Sequence, residues 1–129
     1  MNDKKTIEII ARIGVFGTFI SHGILAFNIN PNWIILLTCY SFSEIQARFL
    51  MPIIGIIDII VAFIILIYPI RIIVFWAFLW AFLTALSRPI AGLGCIEFVE
   101  RFANWILPLV LLLSQGIPQN FKDFFKIRS

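Results

Sequence analysis

Long runs without Asp, Glu, Lys or Arg constrain this chain more than any other feature. Residues 13–43, 72–87 and 102–121 contain none of the four, and residues 49–70 contain only Asp58. About 20 mostly apolar residues in a helix cross the roughly 30 Å hydrocarbon core of a bilayer, and a helix satisfies its own backbone hydrogen bonds there. A transmembrane β-barrel would show short segments of alternating polarity, whereas these runs are continuously apolar. Composition points the same way. Only 13% of residues are charged and 61% are hydrophobic, against about 25% charged in soluble domains, and the mean hydropathy is +1.02. The chain reads as an all-α integral membrane protein, one transmembrane domain over residues 1–129.

The net charge of +3 and pI near 9.2 do not indicate a nucleic-acid partner. The basic residues are scattered and flank apolar runs, with no stripe to follow a phosphate backbone. Glycine-rich phosphate loops, CxxC pairs and HExxH are absent, so the common motif-borne chemistries have no foothold.

Punctuation divides the runs into four spans, over residues 9–27, 50–68, 71–87 and 98–114. The first is read as a retained helix rather than a cleaved signal, because Glu8 and Arg12 adjoin it and no Ala-x-Ala-like site precedes Asn28. Residues 33–42 are too short to cross and read as an interfacial or re-entrant segment, with Trp33 and Tyr40 suited to the headgroup region. Tyr68-Pro69-Ile70-Arg71 makes a tight connection, Arg88-Pro89 stops the third span, and Gly116 and Pro118 stop the fourth. The expected architecture is an antiparallel four-helix bundle with both termini on one side. Lys4, Lys5, Arg12, Arg71, Lys122, Lys126 and Arg128 fall on that side against Arg48, Arg88 and Arg101 opposite, a seven-to-three imbalance. By the positive-inside rule both termini are cytoplasmic, in a multi-pass protein of the inner membrane. The tail, residues 119–129, intersperses phenylalanine with lysine and reads as an amphipathic anchor on an anionic leaflet.

Inside a bilayer, small and polar residues mark the inward face of a helix, because they permit close approach and are costly toward lipid. Such stripes run through Gly14, Gly17, Thr18, Ser21 and His22; through Gly55, Asp58 and Ala62; through Ala77, Ala81, Thr84 and Arg88; and through Glu97, Arg101 and Asn104. At 1.5 Å per residue Asp58 lies about 12 Å from the outer end of its span, and His22 about 7 Å. Glu97, Glu100, Arg101, Asn104, Thr84 and Arg88 gather toward the same end, leaving the inner half to Ile, Leu, Phe and Val. The candidate site is therefore His22, Asp58, Thr84, Arg88, Glu97, Glu100, Arg101 and Asn104, with apolar walls from Trp76, Trp80 and Leu83. Two readings of these groups stay open. Glu97 and Arg101 stand four apart in the favourable order for a helix pair, and Arg88 could pair with Glu100 or Asp58, all as structural staples. Asp58 is harder to assign to stapling, since a mid-depth carboxylate costs at least about 2.5 kcal/mol unless paired or protonated. It is neutral, bound to His22 or Arg88, or facing a wet cavity.

One histidine with scattered carboxylates makes no metal-ligand set, and no nucleophile–base pair has a legible spacing. Cys39 and Cys95 fall in the two outer loops. A disulfide between them is one alternative; two unrelated thiols, each a small hydrophobe, is the preferred one.

Arg12, Gly14, Gly17 and Ser21-His22-Gly23 resemble the opening helix of the DoxX-like family of small bacterial four-helix membrane proteins. Gly55-Ile56-Ile57-Asp58 is similar to the glycine-then-acid element of that family's second helix. Thr84-Ala85-Leu86-Ser87-Arg88-Pro89 and Glu100-Arg101-Phe102-Ala103-Asn104 resemble the polar ends of its last two. The resemblance covers residues 12–113, with one departure: Ala26 stands where many members carry a basic residue. It implies a four-helix inner-membrane protein but little chemistry, since a shared fold does not carry an activity. The leading expectation is an accessory protein, not an enzyme as an isolated chain, that binds a quinone or lipid or a membrane redox partner. The alternative is a subunit of a quinone-linked oxidoreductase of the thiosulfate- or thiol-oxidising type. A proton-coupled transporter ranks last, requiring a homo-oligomer and discontinuous spans. No resident cofactor is evident beyond a quinone.

Overall fold

The computed structural model of the chain describes residues 3–128. They form α1 (Asp3–Phe27), a 3-10 turn (Pro31–Trp33) leading into α2 (Ile34–Thr38), α3 (Glu44–Ile67), α4 (Arg71–Ile90), α5 (Cys95–Glu100), α6 (Phe102–Gln115) and a closing 3-10 turn (Phe121–Phe125). The described residues are thus helices joined by turns, with no strand. Three of the helices, α1, α3 and α4, are long and apolar enough to cross a membrane. Within residues 33–42, only Ile34–Thr38 is α-helical.

Helix limits differ from the sequence reading where polar residues obscured them. α3 begins at Glu44, not at residue 50, because Ser43 and Gln46 form a reciprocal capping box that satisfies the first backbone N–H groups. Glu44 and Arg48 then pair at 3.1 Å on the exposed face of the first turns. α4 runs through Pro89 to Ile90 instead of stopping at Ser87. Pro89 has no N–H to donate to the Ala85 carbonyl, and the helix ends one residue beyond it. The fourth span is interrupted: α5 and α6 are separate helices broken at Arg101, whose φ of −101° and ψ of 14° leave helical geometry. With 14 residues, α6 is only about 21 Å long. The discontinuity is one that the sequence reading had not found.

α1 packs chiefly on α3 and α6, and α4 packs on α6. The inward stripe of α1 is Ala11, Val15, Phe19, Gly23 and Ala26, at three- and four-residue steps. Gly17 and Ser21, expected on that stripe, lie on the exposed face. The Ser21 hydroxyl donates to the carbonyls of Gly17 at 2.8 Å and Thr18 at 3.0 Å, so it is satisfied within its own helix. Gly23 and Gly55 mark the true close approach. A Cβ at Gly55 would stand 2.5 Å from both the Gly23 carbonyl oxygen and the Phe27 nitrogen, so the backbones of α1 and α3 meet with no room for a methyl group. The core is small-residue and aliphatic: Val15, Val61, Ala62, Ile65, Val74, Ala77 and Leu111 are almost wholly buried. Ile13, Ile56, Ile60, Phe63 and Leu113 point outward, as helices in lipid require.

The end of the molecule where α1 starts and the tail finishes, here the terminal end, is not purely aliphatic as expected. Arg12 donates to the carbonyls of Ile65 and Ile67, each at 3.3 Å, and to that of Leu66. These belong to the last turn of α3, where carbonyls lack helical partners. Arg71, fully buried, donates to the Gly116 carbonyl at 2.7 Å and the Lys126 carbonyl at 3.0 Å. The Gln115 amide donates to the Pro69 carbonyl at 2.6 Å, and Arg128 clasps buried Glu8 at 2.7 and 2.9 Å. The tail is therefore tied back onto the helices, with Phe124 edge-on to Phe75 at 5.8 Å. Phe121 and Phe125 remain exposed.

Candidate functional site

The opposite half of the molecule, toward the loops that join α1 to α2 and α4 to α5, contains a small polar cavity of about 70 Å³. α1 contributes Thr18 and His22, α3 Asp58, α4 Trp80, Thr84 and Arg88, and the start of α6 Arg101 and Asn104. Six of the eight residues expected at the site thus meet around one space: His22, Asp58, Thr84, Arg88, Arg101 and Asn104. Glu97 and Glu100 do not line it. Glu97 holds Arg101 at 2.8 Å, the i,i+4 pair expected, and Glu100 stands 3.9 Å from the same guanidinium on the exposed side.

Asp58 is brought inward by the helical register of α3, in which Met51, Gly55, Asp58, Ala62 and Ile65 form the buried stripe. It is 5% exposed. Trp80 is its side-chain hydrogen-bonding neighbour, yet Oδ1 has no partner among the described residues. The expected bonds to His22 or Arg88 are not formed. Arg88 instead donates to the Thr84 carbonyl at 2.6 Å and lays its guanidinium over the Trp33 ring, 5.9 Å from the centroid. Although Arg88 is only 4% exposed, it has no carboxylate within ion-pairing distance among the described residues. His22 meets the same Trp33 edge-on at 5.5 Å. One carboxylate and one guanidinium thus face a shared space from separate walls, neither neutralised by the other. An unpaired buried charge is expensive, which makes this arrangement unusual.

Trp33 is a site residue that the sequence does not single out: read only as suited to the headgroup region, it is brought by the turn at residues 28–32 against His22 and Arg88 on the cavity wall. The Asn30 side chain accepts from the Asn32 backbone N–H at 3.1 Å and caps the short Pro31–Trp33 turn. An Asn-x-Asn-Pro cluster signals a turn but not its direction.

Beside the polar cavity, beneath α2, runs a larger apolar groove of about 480 Å³ walled by Leu36, Leu37, Leu50, Met51 and Leu83. Trp33, Ile54, Trp80 and Thr84 line both spaces, so the two adjoin. Trp76, expected as a wall, stacks on Trp80 at 5.5 Å from the outside. Cys39 and Cys95 are separate thiols; Cys39 donates to the Leu36 carbonyl at 3.3 Å, and the disulfide alternative is not realised. No cluster of three or more His, Cys, Asp and Glu side chains occurs among the described residues.

The cavity can offer donors from Arg88, Asn104 and His22 and acceptors from Asp58, Thr84 and Asn104. Its chemistry is hydrogen-bond matching, with Asp58 and His22 able to exchange a proton with whatever is bound. Comparisons with known protein families, characterised proteins and solved structures give no match.

Proposed function

We propose that this chain is a membrane-embedded accessory protein that binds a quinone or lipid in the polar cavity, without covalent catalysis of its own. In this reading α1, α3, α4 and the broken α5–α6 pair form an antiparallel four-helix bundle in a bacterial inner membrane. Both termini are cytoplasmic, and the fold follows the DoxX-like resemblance of the sequence. The observation that carries the proposal is Asp58: a nearly fully buried carboxylate, with an oxygen lacking any partner, facing a space bordered by an unpaired Arg88. Such groups are costly to folding, and a ligand that hydrogen-bonds to both gives them a purpose. Organic extraction of protein purified from native membranes tests this. A quinone or lipid species enriched with wild type and lost from Asp58→Asn and Arg88→Ala is expected; equal content in all three contradicts the proposal.

The proximity of His22 to the same space supports a second reading, in which the chain is a subunit of a quinone-linked oxidoreductase and Asp58 or His22 handles the quinone's protons. Electrons then come from thiosulfate or a thiol through a partner protein. Quinone reduction by membranes containing the chain and its co-purifying partners, abolished in Asp58→Asn, is expected on this reading. An unchanged rate removes it. The break at Arg101 is the one feature favouring transport; proteoliposomes without proton flux set that reading aside.

A further inference from the structure

The polar cavity and the apolar groove adjoin, and we propose that together they hold a single-chain amphiphile with an uncharged hydroxyl head: the head lies between Asp58 and Arg88, and the chain runs beneath α2. This rests on the reading of the cavity as a ligand site and adds the class of ligand and its pose. Three observations carry it.

The first is the head's chemistry. Asp58 Oδ1 requires a donor, and Arg88 offers donors with no carboxylate in reach. Both face one small space, so a carboxylate head leaves Asp58 Oδ1 without a donor and an ammonium head leaves Arg88 without an acceptor. A hydroxyl beside a second oxygen serves both. The second observation is size. A cavity of about 70 Å³ exceeds the roughly 10–15 Å³ that one water requires but is far below the 300–1,000 Å³ of whole small-molecule sites. It suits a head of a few atoms. The third is continuity. The neighbouring groove of about 480 Å³ lies within that larger range, is almost entirely apolar, and shares Trp33, Ile54, Trp80 and Thr84 with the cavity. Its outer wall includes exposed Leu83, so a chain reaches it sideways from lipid. A two-chain lipid with a large charged head fits neither part.

Because lipid tails are as apolar as the groove, chain burial adds little affinity, and position is the informative readout. The test uses the full chain in phosphatidylcholine nanodiscs and a monoacylglycerol brominated at mid-chain, with quenching of tryptophan fluorescence as the signal. Trp33 and Trp80 border both spaces and report a bromine in the groove. The proposal expects saturable quenching at least twofold above that from brominated phosphatidylcholine at equal bromine content, reversed by unbrominated monoacylglycerol. Asp58→Asn abolishes the excess. The fatty acid and the alkylamine with the same brominated chain give less than half of it. Leu83→Phe, or Leu50→Phe on the facing wall should the first variant lose helicity, reduces the quenching by half or more. Saturable quenching that neither groove variant alters overturns the chain's placement while leaving the cavity as a ligand site. Equal quenching by the charged analogues overturns the head class. No excess over phosphatidylcholine overturns the inference entirely; the cavity reading is then judged by the extraction experiment, which requires no particular ligand.

Discussion

At the terminal end Arg71 donates to two carbonyls, Arg12 closes the last turn of α3, and Glu8 is clasped by Arg128. In the loop half Asp58 keeps an unpartnered oxygen and Arg88 faces the ring of Trp33 with no carboxylate in reach. Both regions bury polar side chains in a protein that has few. The difference lies in what each side chain meets. At the terminal end Arg12, Arg71 and Gln115 donate to backbone carbonyls that the fold itself leaves orphaned at a helix end, at Pro69 and along the tail, and Glu8 is ion-paired; Gln115 Oε1 alone of that amide has no partner among the described residues. In the loop half Asp58 Oδ1 has no partner among the described residues, and Arg88 meets a carbonyl and a ring where a carboxylate would neutralise it. The first pattern stabilises a fold; the second costs stability, and the proposed ligand gives it a purpose.

The largest effect is expected at Arg71, which is fully buried. Arg71→Met removes two charge-assisted bonds, each contributing about 1.5–3 kcal/mol, and strands the carbonyls of Gly116 and Lys126; a loss of about 4 kcal/mol is predicted, measured as thermal unfolding in nanodiscs. A loss below 1 kcal/mol would show that the terminal network is incidental. Next is the α1–α3 seam on which the cavity rests. Gly55→Ala forces a methyl group against backbone at 2.5 Å, and overpacking of this kind is expected to cost about 3 kcal/mol. Gly17→Ala, which meets nothing within 4 Å, should be neutral or gain about 1 kcal/mol from helix propensity. Equal losses at both glycines would refute the crossing. Asp58→Asn should leave stability unchanged or raise it by about 1 kcal/mol, since the site no longer buries an unpaired charge. A loss above 2 kcal/mol would make Asp58 a structural staple like Glu8.

The smallest effect is in the tail. The backbone N–H of Gln119 donates to Asp123 at 3.0 Å and, with Asn120 and Lys126 nearby, holds its carboxyl below the ordinary value of 3.8. A carboxyl lowered on folding contributes stability above its ordinary value and loses it as pH falls through the lowered one. Hydrogen exchange at the Gln119 amide should therefore accelerate below about pH 4, with the amides of α6 unaffected. Exchange that is flat down to pH 2 would remove this contact from the tail's docking.

Three long apolar helices were legible because charge-free runs have few alternatives in a membrane. Their ends were less so, although Ser43-x-x-Gln46 carries a capping-box signature that would have placed the start of α3 at Glu44. The convergence of His22, Asp58, Thr84, Arg88, Arg101 and Asn104 followed from helical spacing and depth, which need no tertiary detail. The inward turn of Trp33 did not, because it depends on how a six-residue connection between Phe27 and Ile34 folds over the bundle. The break at Arg101 was hidden by an i,i+4 Glu97–Arg101 pair that reads as continuous helix. The terminal network was hidden by reach: Arg12 and Arg71 extend to carbonyls 45 to 55 residues away in sequence, and no local pattern reports that.

Thermal unfolding of wild type and Asp58→Asn in saturated phosphatidylcholine nanodiscs, with and without added lipid extract from native membranes, tests the division of roles most directly. The account predicts that extract stabilises wild type, by about 2.7 kcal/mol at a hundredfold excess over Kd, and leaves Asp58→Asn unmoved while that variant alone is at least as stable as wild type. A variant that is less stable than wild type yet gains equally from the extract would contradict it.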